Sequence, residues 1–168
     1  MKRIYGILPL LVILLVSCAT TGGTKVTEPV TYSETIEITG VSQDDLYIRA
    51  NMWFVDAFNN AESVIQFSDK ESGVIKGKYI GDSVVVGIYI YKISTTVTVE
   101  VKDGRYRITF DNPQYQHIGD LLSGNYIRPG ASGPVKTVEM ADKIKPEWIA
   151  LTESLKASVQ EQEDKSSW

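Results

Sequence analysis

Cysteine is all but missing from this 168-residue chain, which holds Cys18 and no other. No disulfide can therefore form within it, and the paired-cysteine spacings of structural zinc sites are excluded. Histidine is as scarce, with His117 alone. A catalytic or ligating histidine needs an orienting partner and further ligands. Asp111 and Asp120 are the acids near it in sequence, and the pattern reads as a plain loop residue rather than a reactive centre. The chain also lacks a glycine-rich phosphate loop, a nucleophile elbow and any internal repeat. No catalytic constellation, metal or cofactor is expected. The charge has the wrong sign for nucleic acid, with 17 Lys and Arg against 21 Asp and Glu and a net charge of −4, where a basic surface is needed.

What is present begins at the N-terminus. Lys2 and Arg3 precede an apolar run from Ile4 to Val16, broken by Tyr5, Gly6 and Pro9. A short cationic segment followed by a short apolar one is the layout of a secretory signal peptide. The run falls short of the about 20 apolar residues that cross a bilayer. It ends Leu15-Val16-Ser17-Cys18, which resembles the bacterial lipobox. That resemblance implies a diacylglycerol on the Cys18 thiol, cleavage before Cys18 and acylation of the new amino group. Two or more acyl chains give durable anchoring, at about 0.8 kcal/mol per buried methylene. The lone cysteine is thus an anchor. The expectation is an exported chain held on a bacterial membrane through lipidated Cys18. Ala19 follows instead of aspartate, which favours the outer membrane in a host with two. Loss of Lys2 and Arg3 leaves 15 basic side chains against the 21 acidic ones. Residues 18–30 are small, polar and aperiodic and read as a tether.

Residues 31–168 read as one domain. "TYSETIEIT" (31–39) alternates as a strand does, with Tyr32, Ile36 and Ile38 on one side. After a turn at Gly40-Val41, Ser42 suits an N-cap and Asp45 an acidic capping-box position. The Asp44-Asp45 pair is read as complementing the helix dipole, not as a carboxylate dyad. Leu46, Ala50, Trp53, Phe54, Ala57 and Phe58 follow at helical spacing, and Asn59-Asn60 ends the helix. Four β-branched and aromatic runs come next, at 63–69, 73–80, 84–101 and 105–110, separated by "KES", "GDS" and "KDG". Asp103-Gly104 is the strongest hairpin signal among these separators. A glycine- and proline-containing stretch from about 112 to 140 reads as a long loop. Pro146 then suits the first position of a closing helix, with Trp148, Leu151 and Leu155 on its apolar seam. The order is β-α-β-β-β-β-α, an α+β class.

This order resembles a bacterial domain of unknown function classed with the TATA-binding-protein-like folds. The words that carry it are the helix "DDLYIRANMWFVDAF", the hairpin "SDKESGVIKGKY" and the closing helix with Trp148, between about Tyr32 and Gln160. The resemblance implies an antiparallel sheet with both helices on one face. It implies no activity and no catalytic residues.

Helices on one face leave the other open, and alternation assigns its residues. On 84–101 the odd positions Tyr89, Tyr91, Ile93, Val97, Val99 and Val101 are apolar and read as the core side. The even positions are Val84, Val86, Ile88 and Ile90 first, then Lys92 and polar residues. Lys76, Lys78, Arg105 and Arg107 join them from neighbouring strands, with Glu37 and Gln66 beside them. The candidate binding residues are therefore Lys76, Lys78, Ile88, Ile90, Lys92, Arg105 and Arg107. The bland alternative is a solvated face whose apolar part the 112–140 segment covers. The leading expectation is a non-enzymatic binding or scaffolding domain that meets an envelope protein or an anionic polymer. A carrier of an amphiphilic anionic ligand, with its pocket between this face and the 112–140 loop, is the alternative. The valine and isoleucine runs could also pair with a second copy as a homodimer.

Overall fold

The computed structural model describes residues 24–58, 64–122 and 130–165, with no side-chain detail at 64 and 161–165. Eight elements follow one another: β1 Tyr32–Glu37, α1 Gln43–Ala57, β2 Val64–Asp69, β3 Val74–Val86, β4 Tyr89–Lys102, β5 Arg105–Asp120, β6 Ser132–Pro134 and α2 Val138–Lys165. The sheet is antiparallel in the order β1-β5-β4-β3-β2, with β6 paired to β5 beside β1's position. The predicted order holds, with β6 as a short addition.

The helix starts where its cap residue dictates. The Ser42 side chain accepts from the Asp45 backbone N–H at 3.2 Å, the N-cap bond that satisfies an orphan donor of the first turn. Asp103, in the turn joining β4 to β5, accepts from the Gln43 N–H at 2.8 Å. An aspartate of the hairpin turn thus holds the entry of α1. From α1, Leu46, Ala50, Trp53 and Phe54 are buried against Ile75, Val97, Val99, Ile108 and Phe110 of the sheet. Trp148 of α2 stacks on Phe110 with ring centroids 5.5 Å apart and planes 11° from parallel. The two helices also bond each other. Arg49 Nη1 donates to the Val159 carbonyl at 2.7 Å, and Trp53 Nε1 donates to Ser154 Oγ at 3.1 Å.

Three boundaries differ from expectation. The run 84–101 is not one strand. It folds back at Gly87-Ile88, where Val86 pairs Tyr89 across a two-residue turn. Gly87 has φ +60, the left-handed conformation that the first position of a primed hairpin turn requires. "GDS" in turn is not a turn; it is a bulge within β3, between Ile80 and Ser83. The second correction concerns the long loop at 112–140. Its first residues continue β5 to Asp120, Ser132–Pro134 form β6, and α2 begins at Val138. Asn112-Pro113 reads as a strand breaker, yet it forms a bulge, with Asn112 at φ 48 and the register shifting between Ser94 and Thr96. Proline is tolerated in sheets at such bulges. Third, Pro146 lies inside α2 and not at its first position. The cap is Thr137, whose Oγ1 accepts from the Met140 N–H at 3.4 Å.

Candidate functional site

Both helices contact the sheet from the side of Ile75, Val97 and Ile108. Among the described residues nothing packs on the opposite side. Register places its side chains in rows across the strands. Ser33, Thr109, Thr98 and Lys76 form one row, followed by the exposed Phe67 at the β2 edge. Asp111, Thr96 and Lys78 form the next. Beyond the β5 bulge come Gln114, Ser94 and Ile80, then Gln116, Lys92 and Ser83.

Of the seven predicted residues, six lie on this face: Lys76, Lys78, Ile90, Lys92, Arg105 and Arg107. Ile88 does not. The hairpin reversal puts it in the turn, 41% exposed, with its carbonyl accepting from the Leu121 N–H at 2.9 Å. The same reversal moves Val84 and Val86 to the helix side, where they pack against the core. It brings Val85, opposite Ile90, to the open side in their place. The predicted core position Tyr89 is 46% exposed, near the turn at the sheet's end. Cys18 lies outside the described residues.

Two shallow depressions mark the open face. One, of about 280 Å³, is lined by Thr35, Glu100, Lys102, Arg105, Tyr106 and Arg107. There the Arg107 guanidinium donates to Glu100 Oε2 at 2.6 and 2.9 Å. Lys102 stands directly opposite Arg105, a like-charge pair that costs stability. The other, of about 320 Å³, is lined by Lys78, Ile80, Lys92, Ser94, Gln114, Tyr115, Gln116 and Ser132. Lys76 and Lys78 are exposed and take part in no ion pair among the described residues. Alternation alone missed Gln114, Gln116 and Ser132, because it ended β5 at Phe110. The signal that could have found Gln114 and Gln116 is the alternating "QYQHIGD" after Pro113.

The remaining polar groups offer little reactivity. His117 is in β5, not in a loop, opposite Tyr91. Its ring meets Tyr89 edge-on at 5.2 Å and Tyr91 at 5.5 Å, and its buried Nε2 has no hydrogen-bond partner among the described residues. Asp44 pairs with Lys70 at 2.9 Å, in keeping with a role at the helix start. Tyr32 donates to Glu34 at 2.6 Å, and this bond, with burial, pushes its phenol up to about 12. Burial and the Glu147 carboxylate raise Tyr79, and burial raises Tyr106. Phenols held protonated in this way cannot serve as bases near neutral pH. Among the described residues no cluster of His, Cys, Asp or Glu could hold a metal ion.

The fold has solved counterparts. A TBP-like protein from Parabacteroides distasonis ATCC 8503 superposes with TM-score 0.55 at 16% identity, covering 76% of this chain and 93% of that one. A DUF4468 family protein from Bacteroides ovatus ATCC 8483 gives TM-score 0.54 at 16% identity, over 81% and 91% of the two chains. At such identity the likeness is one of fold. No curated protein matches the sequence. A family model, the domain of unknown function DUF4468 with TBP-like fold, matches residues 32–116, and the chain therefore belongs to the DUF4468 family.

Proposed function

We propose that this chain is a non-enzymatic binding domain of the bacterial cell envelope, tethered through lipidated Cys18 and docking its partner on the open sheet face. The observation that carries this reading is the pair Lys76 and Lys78, exposed and, among the described residues, without an ion pair or a covering segment on the open sheet face of an acidic chain. A surface lysine costs little in water, so one lysine alone carries no weight. Two on one strand, with Lys92 and Arg105 on the same face, make a local cationic field of opposite sign to the molecule's net charge, and such fields steer anionic partners. The carrier reading gains less support. It needs a cover over this face, whereas Gln114–Gln116 and Ser132–Pro134 extend the sheet at its edge.

In-cell cross-linking of the tethered protein tests the reading. The expected result is a reproducible cross-linked species that is lost on Lys76→Glu/Lys78→Glu substitution and depleted for secreted Cys18→Ala. A species that persists through charge reversal in a correctly folded variant would contradict docking on this face.

A further inference from the structure

The chemistry of the open face distinguishes between kinds of partner. Protein-protein interfaces bury an apolar core inside a polar rim, with lysine and serine depleted. Here the arrangement is inverted. The middle rows carry Ser33, Thr109, Thr98, Thr96 and Ser94. The large apolar side chains stand mainly at the margins: Phe67 on the β2 edge, and Val85 and Ile90 toward the Gly87-Ile88 turn. Ile80 is the apolar residue inside, at the floor of a depression otherwise framed by lysines, amides and hydroxyls.

Resting on the binding reading above, we infer that the ligand is an extended anionic polysaccharide laid along β3 and β4. Lys76 lies opposite Thr98, Lys78 opposite Thr96, and Lys92 six residues along β4 from Thr98, so the cations span about 20 Å at the rise of a strand. A folded small anion would engage one end of that span; a linear polymer with repeated carboxylates engages all of it. Hydroxyls and amides supply what a charged homopolymer would not use. Threonine and serine hydroxyls both donate and accept, and glutamine amides do the same from two atoms, which matches the mixed donor and acceptor pattern of sugar hydroxyls. Ser33 and Thr109 already share a hydrogen bond of 2.9 Å, and Ser33 also donates to the Ile108 carbonyl at 3.2 Å, so part of this lattice is oriented in advance. Preorganised donors and acceptors cost less ordering entropy on binding. The acidic side chains on the face are outnumbered: Glu37, Glu100 and Asp111 share it with Lys76, Lys78, Lys92, Lys102, Arg105 and Arg107, and Glu100 is engaged by Arg107.

Native affinity electrophoresis of the detergent-extracted full-length protein separates the contributions of charge and hydroxyl. The gels contain polygalacturonate, polyglutamate or dextran, which offer carboxylates with hydroxyls, carboxylates alone, and hydroxyls alone. Retardation should be strong in polygalacturonate, weaker in polyglutamate and absent in dextran. Thr96→Val/Thr98→Val preserves shape and strand preference, and should weaken polygalacturonate binding roughly tenfold while leaving polyglutamate unchanged. Lys76→Glu/Lys78→Glu should abolish both, with melting temperatures confirming that each variant folds. Equal retardation by polyglutamate, with no effect of the valine substitutions, would overturn the inference, as would no retardation in polygalacturonate. If polygalacturonate fails but lysine reversal still removes an in-cell cross-link, the ligand class falls and the binding reading stands. If neither responds to reversal, both fall.

Discussion

Single side chains here are placed by their partners, and several show what those partners cost. Tyr32 is the clearest. Its hydroxyl donates to Glu34 at 2.6 Å, and the phenol is pushed up to about 12 from an ordinary 10.0. A folded-state value above the unfolded one means that the protonated phenol is favoured by folding. The contribution is complete below about pH 10 and is lost as pH rises from about 10 to about 12. Stability should therefore decline across that window, and Tyr32→Phe should make the decline shallower, as measured by denaturant midpoints at pH 9, 10 and 11. An unchanged slope would mean that Glu34 does not hold this proton. Residue-scale reading of the sequence succeeded where a local rule applies. Ser42 is a cap because its oxygen reaches the third backbone N–H, and Trp53, Phe54 and Trp148 are core because helical spacing aligns them with the sheet. It failed for His117, because β5 runs on through a bulge at Pro113 and its alternation resumes only beyond that proline.

At the level of elements, the hairpins and bulges decide which side chains share a face. Gly73 and Gly87 both have positive φ, +67 and +60, but differ in surroundings. A Cβ at Gly87 would meet nothing within 4 Å, whereas one at Gly73 would lie 2.5 Å from the Val101 carbonyl oxygen. Gly87→Ala should cost only the left-handed backbone penalty, about 1–2 kcal/mol. Gly73→Ala should cost distinctly more, since β4 backbone must also shift. Thermal melts of the two variants check the ranking; equal losses would contradict it. The open face was legible along 74–80, 94–102 and 105–107, where period-2 alternation runs unbroken within each strand. Past that it was not, for a physical reason: three bulges interrupt the pairings β3–β4 and β4–β5, and each exchanges the two sides. Glu147 pins the β3 bulge by accepting from Tyr79 Oη at 2.9 Å and from the Asp82 N–H at 3.2 Å. That contact joins residues 65 and 68 apart in sequence, so no local pattern announces it. Ile88 was misplaced for the same kind of reason, a glycine turn inside a continuous apolar run.

The whole molecule combines an acidic chain, a core closed by two helices on one side of the sheet, and a polar cationic face that no described residue covers on the other. Family membership supplies the fold and no role, so the proposed docking rests on the chemistry of this face. The most direct test places a photo-cross-linking amino acid at position 98, in the middle of the open face, and in a second variant at position 149, where Ile149 is exposed on α2. Irradiation in cells should yield a covalent adduct, protein or glycan, from position 98 and none from position 149. Adducts from position 149 alone would show that the helical side is the docking surface and would contradict the account.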